Sequence, residues 1–390
     1  MVNFEFVNPT KIIFGKDSER QLAQEIIKYG NKVLLHFGGG SIKKNGVYDK
    51  VITVLNEANI EYIELGGVKP NPRLSLIYEG IKICRENDID LILAVGGGST
   101  IDSAKGIAVG VPYEGDVWDF YTGKALPKTK VPVGVVLTHA AAGSEISFSS
   151  VVTNEDGMLK RPLDHEVLYP EFSILNPEFT FSLSPYQTSC GIADIMAHLM
   201  ERYFTNVRGV GITNRLLEGA MKNIIDNAHF VLENPQDYDA RSEIMWTGSI
   251  AHNNLLNTGR IGDWACHMIE HELSGFNDVA HGAGLAVIFP AWMKYVYKNN
   301  IDLFVQFAVR VWNVEQDFYN KEKTALAGIA KLEEFFKSIG LPVRLSEIGI
   351  KEEHFQMIAD KCRTFHEDDT VGNLVKLSRE DIVKILTIAK

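Results

Sequence analysis

In the first half of the chain, short apolar runs alternate with glycine-rich turns and segments of helical periodicity. This alternation constrains the fold more than any other feature. The clearest case is Leu91-Ile-Leu-Ala-Val95, which runs into Gly96-Gly-Gly-Ser99 and then a helical pattern. A run with no polar position must be covered on both faces, as in a parallel sheet whose crossover helices pack on either side. By the same grammar, strands are expected at Lys32–Phe37, Ile60–Leu65 and Val131–Leu137, with helices at Val47–Ala58 and Leu74–Asn87. The tetrapeptide Gly-Gly-Gly-Ser occurs twice, at 38–41 and 96–99, each time directly after a strand.

Past about residue 180 strand signals stop. Ser184-Pro185 pairs a good N-cap with proline at the first helical position, and Ile192, Ile195, Met196, Leu199 and Tyr203 follow at helical spacing. Further helices are expected at 213–233, 238–256, 264–274, 281–298, 321–339 and 351–361. The expected organisation is therefore an α/β domain over 1–182 and an all-helical domain over 183–390, with no low-complexity linker and a cleft between packed domains.

Composition excludes several functions. The 390 residues hold 39 basic and 50 acidic side chains, a net charge of -11, and no basic cluster that would attract a phosphate backbone, so nucleic acid is not expected as a partner. The four cysteines, Cys84, Cys190, Cys266 and Cys362, form no C-x-x-C pair and read as free thiols of a reducing compartment. No segment reaches the length of a membrane span and the N-terminus has no signal pattern, so a cytoplasmic location without membrane attachment is expected.

Glycines between a strand and a helix let a diphosphate approach the backbone, while the free N–H groups and the positive helix end favour its charge. Gly96, Gly97, Gly98 and Ser99 meet this description, without being a G-x-G-x-x-G fingerprint or a P-loop. The alternative is a plain strand-to-helix turn. Gly38, Gly39, Gly40 and Ser41 contain no carboxylate of the kind that would hold a free ribose hydroxyl and repel a 2′-phosphate, which leans toward NADP(H).

With 11 histidines and 50 acidic residues, random placement gives about 1.4 acid-to-histidine pairs four apart. Two are present, Asp194/His198 and Asp263/His267, so spacing alone decides nothing. Position favours Asp194 and His198, which share one face of a well-marked helix near the domain junction. His267 and His281 can add two imidazoles, and one carboxylate with three imidazoles suits Fe²⁺ or Zn²⁺. The competing reading is solvated or core histidines, which is kept for His36, His165, His229, His252, His354 and His366.

At this point the chain resembles the iron-containing (group III) alcohol dehydrogenases, and among them the NADPH-dependent butanol dehydrogenases. The motifs that carry the resemblance are Asn8-Pro-Thr-Lys-Ile-Ile-Phe-Gly15, Phe37-Gly-Gly-Gly-Ser41, Pro70-Asn-Pro72, Gly96-Gly-Gly-Ser-Thr-Ile-Asp-Ser-Ala-Lys105, Asp194 with His198, and the block from Trp264 through His267 and His271 to His281-Gly-Ala-Gly-Leu285. The resemblance implies a dehydroquinate-synthase-like architecture, with a dinucleotide-binding α/β domain followed by a helical metal-binding domain. It implies Asp194, His198, His267 and His281 as metal ligands, and Gly38–Ser41, Asn71, Gly96–Ser99, Asp102, Thr138 and Lys160 around the cofactor. One departure falls in the loop Thr138-His-Ala-Ala-Ala142-Gly-Ser-Glu145, where His139 and Ala142 replace residues usual in the family.

The expected reaction is reversible hydride transfer between a primary alcohol or aldehyde and NADP(H), preferred over NAD(H), in a homodimer. His267 is expected to hold the metal, and His271, one turn further along, is the candidate to pass the alcohol proton to solvent, with packing or support of the ligands as its alternative role. Trp246, Trp264 and Phe276 are candidates to line a pocket for an aliphatic tail, with ordinary core packing as the alternative. The alternatives carried are a glycerol-dehydrogenase-like or dehydroquinate-synthase-like enzyme, and a non-catalytic metal- or nucleotide-binding protein.

Overall fold

The computed structural model describes all 390 residues. They form two compact units: Val7–Leu183 with Pro235–Asn253, and Met1–Phe6 with Ser184–Asn234 and Asn254–Lys390.

The first unit is built on a sheet of six parallel strands. In chain order these are β1 (Lys11–Phe14), β2 (Lys32–Gly38), β3 (Glu61–Val68), β4 (Leu91–Gly96), β5 (Val133–Leu137) and, after a separate antiparallel hairpin of β6 (Ser149–Asn154) and β7 (Leu159–Asp164), β8 (Phe172–Leu175). Their spatial order is β1-β8-β5-β4-β2-β3. Every residue of β4 and β5 is buried, which is why these strands read as continuous apolar runs. Alternate residues feed two cores: Leu34, Ile92, Ala94 and Val135 on one face, and Val33, Leu35, Leu93 and Val136 on the other. The chain leaves β2 outward to β3 and returns on the other side of β2 to form β4. This reversal places a topological switch point between β2 and β4, the usual position of a ligand crevice at the carboxyl ends of an α/β sheet.

The second unit is helical. Its principal helices are Pro185–Tyr203, Gly211–Glu233, Ala265–Asn277, His281–Val296, Ile301–Trp312, Lys321–Ser338 and Arg379–Ile388. Ser184 caps the first of them in a full capping box with Gln187. No helix is long and apolar enough to cross a membrane.

The units differ from the expected division at 1–182 and 183–390 in two segments. The helix Tyr238–His252 packs with the α/β unit, where Ser249 Oγ donates to the buried Glu145 carboxylate at 2.5 Å and Trp246 meets Phe14 edge-on at 6.1 Å. Residues 1–6 group with the helical unit, the Val2 amide donating to the Gly259 carbonyl. Periodicity gives a helix at 238–256, which in the structure ends at His252, but carries no information on which core its apolar face meets. Strands β1, β6, β7 and β8 were also not expected: β1 and β8 are four-residue strands, and the hairpin carries serines, Lys160 and Arg161 in place of an apolar run.

Candidate metal centre and dinucleotide loops

Three helices of the helical unit deliver the expected ligands. Asp194 and His198 lie on Pro185–Tyr203, with Glu201 three residues further along the same stripe. His267 and His271 lie on Ala265–Asn277, and His281 is the first residue of His281–Val296. Asp194, His267 and His281 each bring one donor atom within 4.8 Å of the others. His198 completes the cluster, with its ring 4.6 Å from that of His267 and its Nδ1 3.1 Å from Asp194 Oδ1.

Each of the three imidazoles has its Nδ1 against an acceptor. His198 Nδ1 donates to the Asp194 carbonyl at 2.9 Å, His267 Nδ1 to Glu201 Oε1 at 2.8 Å, and His281 Nδ1 to Glu270 Oε2. A neutral imidazole that donates through Nδ1 keeps its lone pair on Nε2. His267 Nε2 is buried without a hydrogen-bond partner, and the buried Asp194 Oδ1, although close to His198 Nδ1, makes no hydrogen bond. Buried polar atoms are rarely left in this state without a ligand to take them up. This donor set fits a first-row divalent ion such as Fe²⁺ or Zn²⁺. Burial works to raise the Asp194 carboxyl, but His198, His281 and His267 outweigh it and hold the group well below the ordinary carboxylate range. Burial, with His198 and His281 beside it, keeps His267 neutral far below its usual range.

Glu201 and Glu270 were not anticipated as parts of the site. Glu201 is almost fully buried; besides His267 Nδ1 it accepts the His267 amide at 3.0 Å and the Trp264 amide at 2.6 Å. Trp264 sits at φ 67°, a strained setting for an aromatic residue, with its ring over the Arg202 guanidinium and edge-on to His267. The available signal was spacing, since Glu201 lies seven residues beyond Asp194 and Glu270 three beyond His267. The rival pair Asp263/His267 is not a ligand pair. Asp263 is fully buried and accepts the amides of Ala265, Asn373 and Leu374. Of the aromatics considered for a pocket, Trp264 alone borders the imidazoles, whereas Phe276 packs on His354 and Trp246 belongs to the α/β unit.

In the α/β unit, β2 and β4 are neighbours in register, Phe37 beside Val95, so the two Gly-Gly-Gly-Ser loops emerge side by side at the switch point. Gly40 takes φ +100°, a conformation that L side chains rarely adopt, and Ser41 begins the short helix Ser41–Lys44. Gly96 ends β4, and the Thr138 amide donates to its carbonyl at 2.9 Å. Gly97 and Gly98 lie against the unusual loop: a Cβ on either would come within 3.0 Å of His139 or Ala142. Asn71 is buried with φ 53°. Lys160 is buried on β7, close enough to Asp102 to influence its carboxyl. The Asp102 oxygens are engaged within the protein, by Ser144 Oγ at 2.6 Å and the Val151 amide at 3.0 Å. Asp102 thus ties down the loop beyond β5.

A sheet with paired glycine loops at its switch point and a helical unit with a histidine–aspartate cluster are the parts that a nucleotide-dependent metalloenzyme requires. Residues 9–177 match the family described as iron-containing alcohol dehydrogenase, and residues 188–389 the C-terminal domain of the same family. The chain belongs to the iron-containing alcohol dehydrogenase family, whose members interconvert alcohols and aldehydes. It is 43% identical over 386 residues to the probable NADH-dependent butanol dehydrogenase 2 of Bacillus subtilis, covering 99% of each chain. It is 34% identical over 353 residues to the NADPH-dependent aldehyde reductase YqhD of Escherichia coli, covering 90% of each. The crystal structure of the NADH-dependent butanol dehydrogenase A of Thermotoga maritima superposes with a TM-score of 0.96 at 41% identity, covering 100% of this chain and 99% of that one.

Proposed function

We infer that this protein is a metal-dependent dehydrogenase of the butanol/butanal type. It reduces straight-chain aldehydes, and oxidises the matching primary alcohols, with a nicotinamide dinucleotide. The observation that carries the reading is the convergence of donor atoms from Asp194, His267 and His281, with His198 alongside, in which the buried Asp194 Oδ1 and His267 Nε2 make no hydrogen bond within the protein. When bound, the metal is a Lewis acid for the substrate oxygen, and the dinucleotide gives or takes the hydride. The chain's own part is to hold the donor set. Glu201, Glu270 and the Asp194 carbonyl fix the imidazole tautomers, and His271, buried with its ring 5.6 Å from that of His281, is placed to carry the alcohol proton.

The dinucleotide lies along the loops Gly38–Ser41 and Gly96–Ser99, with Asn71, Thr138 and Lys160 around it. The absence of a carboxylate in Gly38–Ser41 supports use of NADP(H). Relatives at 40–43% identity bear NADH-dependent names and weigh toward NAD(H). A homodimer and a cytoplasmic location complete the proposal, the latter supported by four buried free thiols. The test is oxidation of NADPH and of NADH across straight-chain aldehydes, with metal content measured on the same sample and oligomeric state by sedimentation. Absence of turnover by metal-loaded protein with either cofactor would refute the reading.

A further inference from the structure

Among the three imidazoles, His281 is the one most open to solvent. Its side chain is 23% exposed, against 5% for His198 and 5% for His267, and it stands at the first position of its helix. Its orientation therefore depends on what its ring touches. Glu270, fully buried on the neighbouring helix, meets His281 Nδ1 with Oε2, while Ser274 Oγ meets the other oxygen. Ser274 Oγ also lies 3.0 Å from the Val279 carbonyl, in the turn that leads into His281. The carboxylate fits only because residue 284 is glycine, since a Cβ there would lie 2.7 Å from both Cγ and Oε1 of Glu270. Glu270, Ser274, His281 and Gly284 thus form one packed arrangement around a single imidazole.

We propose that Glu270 is the positioning residue of His281. Its carboxylate keeps the proton on Nδ1, turns Nε2 toward Asp194 and His267, and strengthens the imidazole as a donor through its negative charge. Gly284 serves the same end by leaving room for the carboxylate. This role rests on the ligand assignment above. Glu270 also shares a second donor grouping with His271 and His281, all within 4.8 Å, so direct ligation by Glu270 is the alternative the experiment must separate.

The test uses metal-free full-length protein and the probes Zn²⁺ and Co²⁺. Affinity is read by competition with a chromophoric chelator, coordination by the visible spectrum of the Co²⁺ form, and folding by thermal midpoint in chelator. The variants are Glu270→Gln, Glu270→Ala, Gly284→Ala, the Glu270→Ala/Gly284→Ala pair, and Asp194→Ala. Glu270→Gln keeps size and fold, and is expected to weaken metal binding by about tenfold to a hundredfold with a shifted Co²⁺ spectrum that keeps the wild-type coordination number. Gly284→Ala should weaken binding in the wild-type background and have little further effect once Glu270 is alanine, because the group it displaces is gone. Glu270→Gln with wild-type affinity and spectrum would overturn the proposal, as would equal Gly284→Ala penalties in both backgrounds. A Co²⁺ spectrum showing loss of one ligand in Glu270→Gln would replace positioning by direct ligation. If wild type binds no metal, or Asp194→Ala binds as well as wild type, the ligand assignment itself fails, and that outcome is distinct from the others.

Discussion

Cofactor choice can be tested with one substitution whose position the structure selects. Gly40 looks like the natural place to introduce a carboxylate, but at φ +100° any side chain there adds backbone strain to the electrostatic effect. Gly39 is exposed, has no positive φ, and a Cβ on it meets nothing within 4 Å, so Gly39→Asp adds charge with little else. A 2′-phosphate carries close to two negative charges. One charge pair at about 4 Å repels by about 4 kcal/mol at an effective dielectric near 20. Exposure and salt screening with a Debye length of about 8 Å reduce this to about 1–3 kcal/mol. The nearby Lys43 offers limited relief, being paired with Glu64 at 2.8 Å. The expected result is an NADPH-to-NADH ratio of kcat/KM that falls by about tenfold to a hundredfold, with the fall shrinking as salt is raised. Thermal midpoints of wild type and variant control for folding. A ratio that stays within twofold of wild type, whichever cofactor wild type prefers, would show that this loop does not face the ribose.

Other expectations follow from the same geometry. His267→Ala should lose both bound metal and turnover; stoichiometric metal in the active variant, measured by elemental analysis, would remove His267 from the ligand set. Asp263→Ala should lower stability by about 2–4 kcal/mol, because three amides lose their buried acceptor; an unchanged thermal midpoint would contradict this. Lys105 is fully buried and donates to the carbonyls of Ser144, Ser147 and Ser149 at 2.7, 2.9 and 2.8 Å. Lys105→Met should therefore speed amide exchange across 144–151, and unchanged exchange there would refute the clamp. His36 is buried between the Leu65 carbonyl and Ser103 Oγ, and burial lowers its pKa from 6.5 to about 4. Only the unfolded chain takes up this proton between those values, so stability should fall by about 2 kcal/mol from pH 8 to pH 5. Equal pH dependence in wild type and His36→Gln, followed by denaturant unfolding, would exclude His36 as the source.

Local periodicity and capping decided much of this protein before any contact was known. The covered strand Leu91–Gly96, the Ser184 cap with Pro185 behind it, and the shared face of Asp194 and His198 depend on residues a few positions apart, and each stands where its pattern put it. Short or polar elements were beyond that reach. The four-residue strands β1 and β8 have too few positions to show a period, and they pair with each other across about 160 residues of chain.

What only the tertiary structure decided is which segments meet. The two Gly-Gly-Gly-Ser loops are recognisable as copies in the sequence, yet their adjacency arises because the chain doubles back from β3 to set β4 beside β2. The helix Tyr238–His252 reads as one more helix of the second half until Glu145 and Ser249 tie it to the α/β core. Glu270 looks like a solvated acid, and Gly284 like a helix-weakening glycine, until the packing of their two helices makes one the partner of His281 and the other the space it occupies. Periodicity reports the face a residue presents, because that depends on its own neighbours in the chain; the partner it meets there is set by packing between distant segments, which no local pattern encodes.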